Sequence, residues 1–387
     1  MNTTVRVINV LTRVTRREIP VQTLYNLLNK HILHSKLRLG LKHNCHYLEE
    51  EFMEALTYAS LTTSAVELSC DRLRKLGCHA PTGHSVRDKL RRTAVKQLEH
   101  EVHGEIDRMV GRRLIGPVAV AVDLHKKPYY GCRGDPYVVG GRLKASTTKF
   151  HVYATAYVVT EKMRFTLALT VVKPGEKPHQ ILARLLNRVE KMVEVESVVA
   201  DAGFYSVACI KVLEERGLSY IIHGEVRGKR MPLKLGDLEN QLPSQDDAAW
   251  LGEHVLKSSN YGEVKVKLLA ARPIKGQRLH IYAVSKKEAG KASNVYLEYE
   301  HRFGIDTSYR MIRKVWAWTR SKSPSLRFFL FFLAVLLYNL WVLAKMVRNE
   351  QSGQEYSDDE PRLGMLLWCM KLTIELKPII ENVIEIR

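Results

Sequence analysis

Three aspartates stand out because each lies where a side chain could leave a folded core. Asp123 follows the apolar run Pro117–Val122, and Asp201 follows the apolar run Val195–Ala200. Asp306 lies among basic residues, shortly before a long apolar stretch. Carboxylates that meet in one place repel each other and raise one another's pKa values, so a cluster of them calls for a cation.

The chemistry of such a cluster follows from its ligand atoms. Oxygen ligands with few competing nitrogen donors favour Mg²⁺ or Mn²⁺. Two such ions, about 3.5–4 Å apart, can hold both the attacking and the leaving oxygen of an in-line phosphoryl displacement. An aspartate after an apolar strand is often only the start of a turn, so neither Asp123 nor Asp201 alone would carry this reading. Together the three carboxylates predict phosphodiester chemistry with two divalent ions in one site.

The segment around Asp306 has polar side chains at helical spacing. Counted from Tyr299, Arg302 lies at +3, Asp306 at +7 and Arg313 at +14, and these offsets share one face of a helix. A carboxylate framed by basic residues suits a site that binds phosphates. The alternative is ordinary i,i+4 pairing of Arg302 and Arg310 with Asp306.

The charge of the whole chain favours a polyanionic partner. Sixty Lys and Arg residues against 41 Asp and Glu residues give a net charge of +19 and a pI near 9.6. Nucleic acid is the commonest partner of such a protein, and a generally basic proteome is the alternative. The six cysteines are dispersed without a C-x-x-C pair, and the N-terminus has no uninterrupted apolar core. We therefore expect a reduced, cytoplasmic and nucleoid-associated protein.

The middle of the chain predicts an α/β unit with a mixed sheet. Continuous apolar runs before Asp123 and Asp201 are typical of strands buried on both faces. A loop rich in Gly and Pro is expected at Lys126–Gly141. The other predicted elements are the strands Thr147–Thr160, Arg164–Val172 and Tyr220–His223, the helices Gln180–Val193 and Ile210–Arg216, and, in a β-rich insertion, the strands Glu263–Ala270 and Arg278–Val284.

The N-terminal third is predicted to be helical. One helix spans Ala65–Leu76 and ends at Gly77, and a capping box at Ser85 and Asp88 opens a basic helix over Val86–Leu98. Helix, turn and basic helix suggest a helix-turn-helix reader of DNA, with a plain helical bundle as the alternative. The candidate contacts of this recognition helix are Arg87, Lys89, Arg91 and Arg92.

The apolar stretch Phe328–Ala344 could be either a core helix or a membrane span. Its 17 residues are interrupted only by Tyr338 and Asn339, and a span needs roughly 17–25 residues. The central Asn339 and the charged helix beside it favour a buried core helix without membrane contact. Three tryptophans are also expected in the core: Trp316, Trp318 and Trp341.

These motifs together resemble those of a known family. The spacing of Tyr299, Arg302, Asp306 and Arg313 is similar to the Tyr-x2-Arg-x3-Glu-x6-Lys signature of a group of DDE transposases of prokaryotic insertion sequences. The segments 123–131 and 201–206 resemble the first and second acid motifs of that family. The resemblance covers roughly residues 113–345. It implies a ribonuclease-H-like catalytic core, a β-rich insertion between the second and third acids, and cut-and-paste movement of DNA.

The resemblance also implies roles for individual residues. Asp123 would bridge two Mg²⁺ or Mn²⁺ ions, with Asp201 and Asp306 each holding one. Trp250 in the insertion is a candidate for stacking on a base flipped out of the duplex, although a lone Trp more often packs. The partners would be the terminal inverted repeats and the target DNA, bound by a homodimer that pairs two ends. The residues expected to hold phosphates near the cut are Tyr299, Arg302, Arg310, Arg313 and Lys314.

The chain departs from the family pattern at two positions. The third acid is Asp306 where the family usually has Glu, and Arg313 replaces Lys. Because Asp is one methylene shorter, its helix must approach the ions more closely or bind them through water. Glu298 and Glu300 are alternative third acids, but both fall off the face that Asp306 shares with Tyr299. The departures leave open a catalytically inactive, DNA-binding derivative.

The sequence predicts five segments. They are a helical, DNA-binding domain over 1–112, the first part of the catalytic core over 113–222, the insertion over 223–290, the second part of the core over 291–347, and a linker and tail over 348–387. Two further alternatives stay open: another ribonuclease-H-like nuclease that cleaves without joining ends, and a basic protein anchored in a membrane by 328–344.

Overall fold

The chain packs as two compact units in the computed structural model. One unit combines residues 1–111 with 130–135 and 307–387, and the other combines 112–129 with 136–306. The predicted segments are five consecutive stretches of the chain, whereas these units are defined by packing contacts. The predicted boundaries therefore stay a prediction. The structure describes residues 26–35, 37–41, 45–111, 116–131, 134–159, 164–224, 248–271, 280–285, 290–301, 310–352, 367, 370–372, 374–375 and 378.

In the first unit a short π-helix over Asn29–Leu33 precedes two longer helices, whose ends follow from local chemistry. Helix α1 spans Glu49–Leu61, and three glutamates in its first turn favour the positive end of the helix dipole. Helix α2 spans Val66–Lys75. It stops before Gly77, whose φ of +87° is one that glycine adopts without strain. The predicted end of this helix at Gly77 is confirmed.

The basic stretch after this turn forms two helices rather than one. Helix α3 spans Gly83–Arg92, and helix α4 spans Val95–Val110. The N-cap is Thr82, whose Oγ1 accepts a hydrogen bond from the Ser85 amide at 3.1 Å. The prediction of a single helix over 86–98 is wrong because Thr93 adopts an extended backbone and its hydroxyl donates to the Lys89 carbonyl at 3.0 Å.

The second unit is built on one nine-stranded sheet. In the order of the sheet the strands run β2-β3-β1-β5-β6-β9-β8-β7, and β4 also pairs with β3. Strands β1, β5 and β6 are parallel neighbours, and the remaining pairs are antiparallel. The strands are β1 Val118–Pro128, β2 Val138–Lys144, β3 Thr147–Val159, β4 Arg164–Val171, β5 Val195–Ala200, β6 Ser219–Gly224, β7 Ala248–Ser258, β8 Gly262–Ala271 and β9 His280–Val284.

Two helices connect the central strands. Helix α5, Pro178–Val189, leads from β4 to β5, and helix α6, Val207–Glu215, leads from β5 to β6. The apolar face of α5 is buried through Ile181, Leu182 and three residues further along the helix. Because helices pack on these central strands, the sequences of the strands are continuous apolar runs. The strands and helices predicted for this region are confirmed, with ends that shift by a few residues.

The strands of the predicted insertion do not form a separate sheet. Strand β9 pairs with β6, so β9, β8 and β7 extend the central sheet itself. Strand β7 was not predicted, because a register shift between Trp250 and Gly252 breaks its alternation of apolar and polar residues. Helix α7, Ala292–His301, follows this extension and buries Val295, Tyr296 and Tyr299.

Helix α8, Pro324–Ser352, belongs to the helical unit and is its core helix. Among the described residues it is the one helix long and apolar enough to cross a membrane, and that stretch, Pro324–Met346, is fully buried. It packs against α1, α3 and α4. A helix covered in this way has no apolar face left for lipid, so the structure favours the core alternative.

Side chains outside α8 complete the helical unit. The C-terminal tail contacts helix α1 through Glu375, which accepts a hydrogen bond from the Tyr58 hydroxyl at 2.6 Å. Trp316 is buried against Phe331, with ring centroids 5.1 Å apart. The prediction that Trp318 lies in the core is wrong, since its side chain is 52% exposed and lies beneath the Arg320 guanidinium.

Candidate active site

The sheet places Asp123 and Asp201 side by side. In the parallel pair of β1 and β5, Val122 lies opposite Ala200, so the two aspartates are the next residues on neighbouring strands. Such strands lie about 4.8 Å apart. Residues at matching positions of paired strands point to the same face of the sheet. Two carboxylates therefore share one face at the point where the parallel pairing of β1 and β5 stops.

The two strands reach this edge in different ways. Strand β5 ends at Ala200, and the backbone of Asp201 turns into a short 3-10 helix over Ala202–Phe204. Strand β1 does not end at Asp123 but continues to Pro128, because β3 pairs with it throughout 120–128. The apolar run before Asp123 predicted a strand that ends at this aspartate, and that prediction is wrong for this reason. Only the pairing with β5 stops there.

Backbone amides orient both carboxylates. Oδ1 of Asp123 accepts a hydrogen bond from the Leu124 amide at 2.8 Å. Oδ1 of Asp201 accepts one from the Gly203 amide at 3.0 Å. A Cβ at position 203 would lie 3.0 Å from that same oxygen, so glycine leaves room for the carboxylate. Oδ2 of Asp201 accepts no hydrogen bond from any residue that the structure describes.

Helix α7 packs on the face of the sheet that carries the aspartates. The Ser197 hydroxyl on β5 donates to Oε1 of Glu298 on α7 at 2.8 Å. Ser197 precedes Asp201 by four positions along an extended backbone, and residues an even number apart in a strand share a face. The helix that leads towards Asp306 in the sequence thus lies on the side of Asp201.

Tyr299 is a packing residue of this helix. It is 1% exposed, and its ring lies 4.4 Å from the ring of Tyr282 and 6.3 Å from that of His223. A side chain enclosed in this way cannot contact a phosphate without a rearrangement. Its burial therefore favours a packing role for Tyr299 over the predicted contact with DNA.

A histidine continues the row of polar residues at the same edge. Ala200 lies opposite Ile222 of β6, so His223 is level with Asp201 on the next strand. Its ring stacks on that of His280 at 4.9 Å, and burial lowers the pKa of His280. Sequence reasoning did not select His223, although it ended a predicted strand as the two aspartates did. The rule of a polar residue after an apolar strand would have found it.

Asp306 and Arg302 lie outside the described residues, so their predicted roles stay predictions. Residues 310–313 are helical, and the side chains of Arg310, Arg313 and Lys314 are exposed. They belong to the helical unit. Exposed cations of this kind are available to phosphates, but no geometry links them to the aspartates, and their predicted contact with DNA stays a prediction.

Trp250 lies on the last strand of the sheet. Its indole Nε1 donates to the Gly290 carbonyl at 3.1 Å, and the Lys267 ammonium lies 5.8 Å from its ring centre. The ring is half-buried. These contacts fix its orientation and leave its role in base stacking a prediction.

The predicted recognition helix, now α3, uses part of its charge within the unit. Arg87 pairs with Glu67 on α2 at 2.6 Å, and the Lys89 ammonium donates to the Gly40 carbonyl. Arg92 pairs with Asp88 one turn earlier at 2.8 Å. Arg91 is exposed. DNA contact by this helix stays a prediction, and Arg91 and Arg92 are the exposed residues among its four candidate contacts.

The donor atoms of the aspartate pair fit a hard divalent cation. Both residues are half-exposed and supply carboxylate oxygens, the ligands that Mg²⁺ and Mn²⁺ prefer. Within the described residues no group of three or more His, Cys, Asp or Glu side chains is placed to hold an ion. The third predicted ligand, Asp306, is not part of that set.

Comparison with known proteins gives the family. A model described as "Transposase DDE domain" matches residues 136–340, just over half of the chain. The chain therefore belongs to the transposase DDE domain family, and its resemblance to DDE transposases is confirmed. The match includes Asp201 and Asp306 and begins after Asp123. No curated protein sequence matches the chain.

Solved structures support the fold. The chain is similar to the piggyBac transposase in a synaptic complex with hairpin DNA, with a TM-score of 0.57 and 10% identity over 96% of this chain and 83% of that one. A likeness to the NurA nuclease of Sulfolobus solfataricus has a TM-score of 0.28 and 12% identity over 56% of this chain and 85% of that one, too low to carry an argument. The fold is a mixed α/β one with a ribonuclease-H-like core, as predicted.

Proposed function

We propose that this DNA transposase cleaves the ends of its own insertion sequence and joins them to target DNA by a cut-and-paste route. The observation that carries the proposal is the register of β1 and β5, which brings Asp123 and Asp201 together at one edge of the sheet. The family and the net charge of +19 support DNA as the substrate.

The aspartates act as preorganised ligands. Asp123, Asp201 and Asp306 would hold two Mg²⁺ or Mn²⁺ ions, which when bound supply Lewis-acid activation of the attacking oxygen and charge stabilisation at the scissile phosphate. The Leu124 and Gly203 amides hold the two described carboxylates in place before DNA arrives. Fixed ligands of this kind do not have to reorganise during the reaction.

Basic side chains position the DNA. Arg310, Arg313 and Lys314 are exposed and suited to phosphate oxygens, and Arg313 can bind one in bidentate fashion. The proposed partners are the terminal inverted repeats and target DNA, bound by a homodimer that pairs two ends. This last part rests on the family resemblance.

The test replaces each aspartate by its amide. Asp123→Asn and Asp201→Asn remove one ligand charge with little change of shape, and we expect each to lower the rate of cleavage of terminal-repeat DNA by more than about 100-fold while DNA affinity is retained. Asp71→Asn, the same change at an exposed position of α2, is the control and should cleave at the wild-type rate.

The outcomes separate the alternatives. Cleavage by Asp201→Asn at the wild-type rate, with its fold intact, would refute the proposed site. A wild-type protein that binds DNA but never nicks it would be an inactive derivative. One that cleaves without strand transfer would be a nuclease rather than a transposase.

A further inference from the structure

Beyond Asp123, strand β1 carries a run of basic residues into a three-stranded extension of the sheet. We define the basic arm as residues 124–128 of β1 with residues 138–151, which form β2, its turn and the start of β3. The arm contains five Lys and Arg residues and no Asp or Glu. They are Lys126, Lys127, Arg142, Lys144 and Lys149.

The register of the arm places part of this charge on the face of the aspartates. Lys127 is four residues beyond Asp123 on β1 and lies opposite His151 of β3. Lys149 is two positions from His151 on β3, and Lys144 lies opposite Thr147. Because strand side chains alternate and opposite residues share a face, all three lysines share the Asp123 face.

The spacing of these lysines can be compared with that of phosphates. At about 3.3 Å per residue, Lys127 lies ~13 Å along the sheet from Asp123, and Lys144, at the end of the arm, lies ~26 Å away. Successive phosphates of one DNA strand are about 3.4 Å apart along the helix axis. The arm therefore spans phosphates about four to eight nucleotides from the point of cleavage.

The arm is anchored at its base and exposed at its tip. Tyr129 and Phe150 are 3% and 1% exposed, and the ring of Tyr129 stacks on His151 at 4.6 Å. A Cβ at Gly141 would lie 3.1 Å from the ring of Phe150, so the backbone packs closely there. Around the turn, Arg142 and Lys144 are exposed, and no described carboxylate forms an ion pair with either.

We propose that the basic arm binds the phosphate backbone of duplex DNA beside the cleavage site. The inference rests on the proposed function and adds a surface to it. Charge complementarity commits the arm to DNA, because the arm has five Lys and Arg residues and no acid in its own sequence, and no described carboxylate pairs with Arg142 or Lys144. The other occupant that fits an open edge strand is β2 of a second copy of the chain. That pairing would place the same cations next to each other, and they would repel. The remaining explanation is that lysines on an edge strand only prevent aggregation.

The test measures the salt dependence of DNA binding. Each phosphate contact contributes about 0.9 to the slope of log K against log salt. Arg142→Gln with Lys144→Gln should lower that slope by about 1.8 and the affinity at 0.1 M salt by about 60-fold, or by about 8-fold if one contact is made. Backbone protection of the DNA should be lost about six to eight nucleotides from the cut, where the tip of the arm lies.

The control removes the same charge elsewhere. Lys191 follows α5 and Lys265 lies on β8, and both are exposed and outside the basic arm. Lys191→Gln with Lys265→Gln should keep the wild-type slope and footprint, and Arg142→Lys with Lys144→Arg should keep the affinity of the arm.

Equal losses in the arm and control variants would show an effect of net charge and overturn the proposal. An unchanged slope in the arm variant, with or without new self-association, would overturn it as well. Binding is measured without cleavage, so failure of the catalytic proposal and failure of the arm give different results: Asp123→Asn should lose cleavage with an unchanged slope.

Discussion

The hydrogen bond between Ser197 and Glu298 provides a sharp test of how the site is built. It joins β5, the strand that leads into Asp201, to α7, the helix that precedes Asp306 in the sequence, at 2.8 Å, and Ser197 is only 5% exposed. Ser197→Ala removes the donor. Glu298→Gln keeps an oxygen acceptor for it while removing the charge. The two variants therefore separate positioning of the helix from a role of Glu298 as the third acid.

The magnitude follows from the kind of hydrogen bond. A bond to a charged group contributes about 1.5–3 kcal/mol, and a neutral one about 0.5–1.5 kcal/mol. Ser197→Ala should thus lower the free energy of local opening of α7 by about 1.5–3 kcal/mol, and Glu298→Gln by about 1 kcal/mol. Ser219→Ala is the matched control, since Ser219 lies opposite Ser197 on β6 and no described residue bonds its hydroxyl.

The assay is native-state hydrogen exchange of the amides in α7 and β5. It resolves local opening, which a single unfolding curve of a chain with two units does not. Cleavage is measured in parallel. If α7 positions the third acid, Ser197→Ala should slow cleavage more than Glu298→Gln does. A Glu298→Gln protein that cannot cleave although α7 stays protected would refute this reasoning and make Glu298 the third acid in place of Asp306.

Two predictions concern stability. Gly83→Ala should destabilise the helical unit by about 1–3 kcal/mol in urea unfolding, because a Cβ there would lie 2.5 Å from the Glu67 Cα. The control Gly104→Ala, inside α4, should stabilise the unit by about 0.5–1 kcal/mol. Equal unfolding midpoints for the two variants would contradict the close approach of α2 and α3. Burial raises the pKa of the Cys209 thiol from 9.0 to about 11. The unfolded thiol therefore loses its proton first, so the free energy of unfolding should fall between pH 9 and 11, and less steeply in Cys209→Ala. The same slope in both proteins would count against this origin.

The parts of the fold that the sequence predicted are those with strong apolar patterns. The runs before Asp123 and Asp201 indicated strands buried on both faces, and a parallel sheet brings the ends of such strands to one edge. The stretch 328–344 indicated a core helix through its central Asn339. In each case burial on all sides produces a pattern that is visible without knowledge of the neighbours.

The parts that were missed are those whose structure depends on one-sided pairing. Strand β2 pairs only with β3 and is mostly exposed, so its Gly and basic residues read as a loop. The second half of β1 is held by β3 alone, and the alternation of β7 is interrupted at Gly252. A strand of this kind is specified by its partner rather than by its own composition, and its register cannot be derived from a single sequence.

One structural consequence links cleavage to the proposed DNA contact. Strand β1 pairs with β5 up to Val122 and with β3 up to Pro128, so the same strand holds the first acid and the base of the basic arm. A strand paired along its length moves as a unit with its sheet. DNA bound along the arm would therefore be fixed relative to Asp123 without any intervening loop. This is a physical reason for β1 to continue past the acid, where a strand that served only to present a carboxylate would end.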